Sequence, residues 1–265
     1  MLTKSHGLGN DYLVADPAEL PFAVSPSRVQ LLCERHTGVG SDGLLLLDGA
    51  RGVRIFNPDG SEAEKSGNGL RIFARWLFDT GRVDTRAFTI DVGGARAAVE
   101  VNQDASVTVD MGPPTVREDL QTIDVDGARY VVVALRIGNP HCVVFRDTLD
   151  ITELRRLGPL IERHPAFPER TNVQFAHVVD RHTVDLLIWE RGAGETQASG
   201  SSSCAVVVAA QRAGQVDADV TARMPGGQLS VRIDAAGSIW QRGPVEEVAR
   251  ITLSPDLMRQ LRALP

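Results

Sequence analysis

Cysteine is scarce in this 265-residue chain: only Cys33, Cys142 and Cys204 occur. An odd, sparse count without a Cys-x-x-Cys pair argues against a disulfide scaffold and against a structural zinc site. Positive charge is not in excess either. The chain has 28 Lys and Arg against 34 Asp and Glu, for a net charge of −6, and Arg never clusters into a basic run. A nucleic-acid partner calls for a basic patch, so none is expected. Long hydrophobic runs are missing. Stretches such as CAVVVAA at 204–210 are far too short to span a bilayer, so no membrane partner is expected. No terminal segment joins a charged region to an apolar one, which predicts no signal peptide and a reducing, cytoplasmic setting. Neither a GxxxxGK[ST] loop nor a Gly-rich dinucleotide fingerprint in a βαβ setting occurs, so no nucleotide is inferred.

What is present suits a soluble globular protein, at 43% hydrophobic and 23% charged residues. The length allows one large domain or two of roughly 100–150 residues. Strand patterns dominate: LLLLD (44–48), VRIFN (53–57), FTIDV (88–92), SVTVDM (106–111), RYVVVALRI (129–137), HCVVF (141–145), NVQFAHVV (172–179) and TVDLLIWE (183–190). Helices are expected over 26–35, with Ser25 as N-cap and Pro26 in the first turn, and over 67–79, 151–163, 200–212 and 255–263. GPPTVR at 112–117 reads as a connector.

Two stretches repeat one another. EAEKSGNGLRIFARWLFDTG (62–81) and ETQASGSSSCAVVVAAQRAG (195–214) each place a Glu four residues before a Ser-Gly pair, followed by an apolar run that ends at Gly. Upstream, LGNDYLV carries Asn10, 56 residues before Ser66, and IGNPHCVV carries Asn139, 60 residues before Ser199. VRIFN ends at Asn57 and LLIWE at Glu190, each nine residues before its Ser. Four matched features in one order predict an internal duplication. The expectation is two like domains facing each other, 1–113 with 250–265 and 114–249, with one Ser-Gly helix entrance from each lining a cleft.

A helix N-terminus presents unpaired N–H groups and partial positive charge, and it binds carboxylates well. Gly67 and Gly200 would let such a ligand approach the main chain. A single Ser-Gly at a helix start is explained by capping alone. Capping does not call for two matched surroundings, so an amino or organic acid held by main chain is the sharper expectation.

These residues also carry a resemblance. HGLGNDY (6–12), RHTGVGSDGLLLL (35–47), RIFNPDGSEAEKSGNGLRIFAR (54–75), GNPHCV (138–143), TNV (171–173) and ERGAGETQASG (190–200) resemble the diaminopimelate epimerases, in order and over nearly the whole chain. The resemblance implies an α/β (α+β) fold of two pseudo-symmetric halves, each a β-sheet curled around a central helix. It implies a cofactor-independent isomerase that moves the α-proton of an amino-acid substrate between two cysteines, one per half. It also implies lysine biosynthesis as a setting, which the sequence does not separate from a specialised pathway. Self-association into a homodimer is left open.

The motif positions of both cysteines hold Ser66 and Ser199. By the same resemblance, Asn10, Asn57, Asn139, Asn172, Glu190 and Arg191 match residues that grip the ends of the amino acid, Arg191 as a fork for a distal carboxylate. Gly67, Asn68, Gly200 and Ser201 match those whose N–H groups hold the reacting carboxylate, and His141 matches a His beside the reacting centre. Read alone, each Asn is a turn residue and Arg191 a surface cation. Cys204 matches a non-catalytic position and reads as buried packing.

A thiol near pKa 8.5 is a ready acid and base, whereas a Ser hydroxyl needs an adjacent base. His141, Glu190, Glu62 and Glu195 are candidate helpers, so the catalytic set is Ser66, Ser199, His141 and Glu190. Four explanations fit the two serines: proton transfer with helpers, a related elimination, isomerisation or cyclisation, amino-acid binding without catalysis, or an engineered Cys-to-Ser pair. Lys65, Ser202 and Ser203 also depart from the family residues, which favours natural drift over engineering.

Overall fold

In the computed structural model, which describes residues 1–63 and 65–265, the chain forms two compact units. One comprises Met1–Val109 with Pro244–Pro265, the other Asp110–Gly243.

The first unit begins with β1 (Leu2–Gly7) and β2 (Asn10–Ala15), then α1 (Pro26–Cys33), β3 (Leu44–Asp48), β4 (Gly52–Phe56) and β5 (Glu62–Ala63). It continues through α2 (Gly67–Asp79), β6 (Ala87–Val92), β7 (Ala95–Val101) and the start of β8 (Val107–Gly112). β1 and β2 form an antiparallel hairpin, and α1 carries the chain to β3, which runs parallel to β2. β4 pairs antiparallel with β3 and with the short β5, and α2 carries the chain to β6, parallel to β4. β7 and β8 close the series antiparallel.

The second unit adds β9 (Thr115–Val116), the hairpin β10 (Thr122–Val125) and β11 (Ala128–Val131), then β12 (Val133–Ile137) and β13 (Asn139–Phe145). α3 (Ile151–Glu162), β14 (Asn172–Asp180), β15 (Thr183–Glu190) and β16 (Gly194–Thr196) lead to α4 (Gly200–Arg212). β17 (Asp219–Met224), β18 (Gly227–Ile233) and β19 (Ile239–Gly243) follow, and the chain returns to the first unit as β20 (Glu246–Ile251), paired with β1, and α5 (Pro255–Ala263). From β12 to β19 every pairing repeats that of β1 to β8: antiparallel hairpin, parallel crossover through α3, antiparallel return, parallel crossover through α4, antiparallel close. The duplication is therefore topological, strand for strand.

α2 and α4 are each 13 residues long, and in each ten residues are buried. A helix apolar on nearly all sides must be enclosed. α4 touches β12, β13, β14, β15, β17, β18 and β19, so its sheet wraps it, and α2 touches β1, β2 and β7. On the outer side of the first sheet, α1 and α5 pack Val29, Leu32 and Leu261 against Leu2, Leu13, Leu44 and Phe56. On that of the second, α3 packs Leu154, Leu157 and Ile161 against Val144, Val173 and Phe175.

Three local expectations change. RYVVVALRI is two strands, because β11 pairs with β10 and β12 with β13; Val132 joins them and donates its N–H to the Gln121 carbonyl. Ser25 stands at the N-cap of α1, but its hydroxyl donates to the Pro265 carbonyl at 2.6 Å instead of capping. β7, β17, β18, β19 and β20 form from segments that the apolar runs did not single out.

Candidate active site

In the first unit, Ser66 is the N-cap of α2, with extended backbone at φ −136° and ψ 121°. Its Oγ accepts the Gly69 N–H at 3.0 Å and lies 3.3 Å from the Tyr12 hydroxyl. The first bond within the helix runs from the Leu70 N–H to the Ser66 carbonyl, so the N–H groups of Gly67 and Asn68 have no acceptor inside the helix.

A polar chain fixes this end of the helix. Arg71, fully buried on α2, donates to Asn68 Oδ1 at 2.6 Å, and Asn68 Nδ2 donates to Asn10 Oδ1 at 3.1 Å. Asn10 Nδ2 donates to Asp42 Oδ2 at 2.9 Å, which also accepts the Asp11 N–H at 3.0 Å. Arg35 bridges Asp42 and Asp11, and Lys4 pairs with Asp11 at 2.9 Å. Burial raises the Asp11 carboxyl pKa, but its bonds to Arg35 and Lys4 and their charges outweigh that and hold it below the usual carboxylate range. Asn57 follows β4, and its Nδ2 donates to Ser61 Oγ at 3.0 Å, tying its own turn. Both Glu62 oxygens accept from Arg54, which holds this carboxyl below its usual range.

In the second unit, Ser199 is the N-cap of α4, but its hydroxyl makes no capping bond. The Ser199 N–H points to Met224 Sδ at 3.4 Å, and the Ser203 hydroxyl donates back to the Ser199 carbonyl at 2.9 Å. Since the Ser203 N–H makes the first bond within the helix, those of Gly200, Ser201 and Ser202 have no acceptor inside it. Gly200 gives the Gln241 amide its place: a Cβ there would lie 2.7 Å from it, and this buried side chain on β19, which donates to Cys204 Sγ at 3.4 Å, would have to shift.

His141 is buried on β13, and burial lowers its pKa to about 3, so the ring is neutral near pH 7. Its Nδ1 lies 3.1 Å from Gln174 Nε2 and its Nε2 lies 2.8 Å from Asn139 Oδ1, so both ring nitrogens are engaged. Gln174 Nε2 also donates to Ser202 Oγ at 3.0 Å. One polar line thus joins the first turn of α4 to Asn139. Asn172 is buried, donates to the Pro140 carbonyl at 2.9 Å and accepts the Arg191 N–H at 2.9 Å. The Arg191 side chain is exposed and commits one N–H to the Glu169 carbonyl. Glu190 ends β15 half-buried, and Glu195 pairs with Arg155 at 2.6 Å.

The structure therefore joins Asn10, Asn68 and Ser66 in one network and Asn139, His141 and the first turn of α4 in another. Glu62 and Glu195 are committed to surface ion pairs instead. Sequence reasoning passed over Tyr12, Asp42, Arg71, Gln174, Met224 and Gln241. Gln174 had a usable signal, being a polar residue within the apolar run NVQFA. A surface depression of about 770 Å³, lined among others by Asp48, Arg51, Arg54, Asp91 and Arg96, takes in Glu62 of the candidate helpers and neither helix entrance.

Comparison with known proteins agrees with the repeated fold. The sequence profile described as Diaminopimelate epimerase matches residues 2–117 and again residues 133–248, once over each repeat. "Diaminopimelate epimerase 2" of Nostoc sp. is 42% identical over 272 residues, covering 96% of this chain and 95% of the relative. The diaminopimelate epimerase of Pseudomonas syringae pv. syringae is 40% identical over 264 residues, covering 93% and 96%. Among solved structures, a probable proline racemase from Agrobacterium radiobacter shares the fold at a TM-score of 0.72 with 17% identity, covering 96% of this chain and 93% of that one.

Proposed function

This chain belongs to the diaminopimelate epimerase family and is an isomerase of the racemase and epimerase class; we propose that it moves the α-proton of a diaminopimelate-like amino acid without a cofactor, with Ser66 and Ser199 in the two acid–base positions. The observation that carries the proposal is the pair of helix N-termini at matched points of one repeated topology, each headed by a Ser. The N–H groups of Gly67 and Asn68, and those of Gly200 and Ser201, are the proposed donors to the reacting carboxylate. Oriented donors of this kind also stabilise negative charge as the α-proton leaves. Arg191, exposed and with one N–H on the Glu169 carbonyl, is the proposed fork for a distal carboxylate. His141 is assigned a positioning role, because a neutral ring engaged at both nitrogens holds Asn139 and exchanges no proton near pH 7. Three buried cysteines, none of them in a disulfide, are consistent with a cytoplasmic setting.

One observation favours a second reading. Ser66 is hydrogen-bonded through its hydroxyl to the first turn of its helix and Ser199 is not. Chemistry weighted to Ser66 would suit proton removal from one face, followed by isomerisation or elimination.

The test is α-proton exchange in deuterated water, followed by NMR, with LL- and meso-diaminopimelate and a panel of other amino acids. Deuterium uptake with inversion supports the first reading. Uptake with retention, or a new alkene signal, supports the second. Binding without uptake on any compound overturns both. The Ser66→Cys/Ser199→Cys double variant extends the test: a rise in exchange on diaminopimelate shows that the substrate contacts fit that compound.

A further inference from the structure

Tyr12 is the residue that the proposed chemistry has not used. It lies on β2 beside the first helix entrance, and its side chain is buried apart from 7% of its surface. Its hydroxyl is 3.3 Å from Ser66 Oγ, although 54 residues separate the two in sequence.

The phenol is held from several sides. On either side of it, the Asp11 N–H donates to Asp42 Oδ2 at 3.0 Å and the Leu13 N–H donates to the Gly43 carbonyl at 3.0 Å. The ring packs on Gly43, where a Cβ would fall 2.7 Å from Tyr12 Cε1 and 2.4 Å from the Phe56 carbonyl. Only a residue without a side chain leaves the phenol this path to Ser66.

A Ser hydroxyl has one proton and two lone pairs. The Gly69 N–H occupies one lone pair of Ser66 Oγ. If Tyr12 O–H fills the other, the Ser66 proton is free to point at a substrate. As that proton leaves, negative charge develops on Oγ between two donors at a helix N-terminus, where it is favoured. A phenol titrates near 10, well below an aliphatic alcohol, so it can serve where a thiol has been lost.

The geometry points to Tyr12 as the proton partner of Ser66. As Ser66 gives its proton to the α-carbanion, the Tyr12 O–H bond breaks and that proton passes to Ser66 Oγ, leaving tyrosinate. In the reverse direction, tyrosinate takes the Ser66 proton as Ser66 Oγ takes the α-proton. In each case two protons each move one position and one negative charge passes between the α-carbon and the phenol. Tyr12 acts through Ser66 and is therefore a positioning and relay residue. This inference rests on the proposed acid–base role of Ser66.

The test is a double-mutant cycle of Tyr12→Phe with Ser66→Cys, read by α-deuterium exchange across pH. In the native Ser66 background, Tyr12→Phe should lower exchange about a hundredfold, the scale of an acid–base partner. In the Ser66→Cys background the thiol ionises without help, and the loss should be no more than about threefold. Equal losses in the two backgrounds, or no loss with Ser66, overturn the relay. Ser66→Ala separates the two claims: exchange that survives it sinks the acid–base role of Ser66 itself. A readout independent of turnover comes from the chain having two tyrosines, Tyr12 and Tyr130. With [13Cζ]tyrosine, Ser66→Ala should shift the titration midpoint of Tyr12 and leave that of Tyr130 in place. An unmoved Tyr12 midpoint overturns the pairing.

Discussion

The two serines hold matching positions, but the structure predicts unequal stability costs when each is replaced. Ser66→Ala removes the bond that caps α2 through Gly69 and the contact with Tyr12. Loss of an N-cap costs about 1 kcal/mol. The Tyr12 contact, at 3.3 Å and partly buried, adds about 0.5–1 kcal/mol. The total of roughly 1.5–2 kcal/mol should lower the midpoint of thermal unfolding by about 3–8 °C in a domain of this size. Ser199→Ala removes no side-chain bond at the start of α4, and its cost should stay within about 0.5 kcal/mol. Urea unfolding read by Trp fluorescence is the assay. Trp76 lies in α2 itself, whereas Trp189 and Trp240 lie in the second unit, so Trp189→Phe/Trp240→Phe provides a background that reports on α2. A Ser199→Ala loss equal to that of Ser66→Ala would refute the unequal capping and the account of the two helix starts built on it.

Other perturbations test the networks behind these residues. His141 titrates near 3 in the fold against about 6.5 unfolded, so its contribution is complete above pH 6.5 and lost as pH falls toward 3. Denaturation at pH 7, 6, 5 and 4 should show stability falling by up to about 1.4 kcal/mol per pH unit from this residue, a slope that His141→Gln removes. Asp11 is depressed in the fold, so its contribution is present above the usual Asp value and lost as pH falls through the lower folded one. Asp11→Asn should therefore cost about 1–2 kcal/mol at pH 7, a figure that allows for the half-exposed Arg35, and the gap to native should close toward pH 3. Gly43→Ala drives a methyl into the Phe56 carbonyl and the Tyr12 ring, and thermal melts should show a loss of about 1–3 kcal/mol.

Features carried by local pattern were legible in the sequence. Both central helices begin at the Ser-Gly pair and end as read, because the apolar run sets their length and capping residues their start. The repeat was legible because each half holds one Ser-Gly pair, one Gly-Asn turn and one strand ending nine residues before its Ser. RYVVVALRI was misread because no Gly, Pro or charged residue marks Val132 as the point where one pairing gives way to another. β20 escaped notice because EEVARI is an exposed strand whose Val248 points to solvent, so it lacks the half-buried alternation. The contact between Tyr12 and Ser66 could not be read at all. It depends on how β2 and α2 pack, and nothing local to either residue records it.

The two helix starts also show why matching motifs need not act alike. Equal topology delivers a Ser and free N–H groups to the same point of each unit, but the side chains packed behind them differ. Behind Ser66 stand a phenol and a charged network running through Asn68, Asn10, Asp42 and Arg35. Behind Ser199 stand Met224 and neutral amides, with Ser202 tied to Gln174 and through it to His141. A buried hydroxyl without a partner costs about 1–3 kcal/mol, so Ser202 is tolerated where Gln174 supplies a donor. Ser202 is therefore stitched into the same line of bonds that orients Asn139.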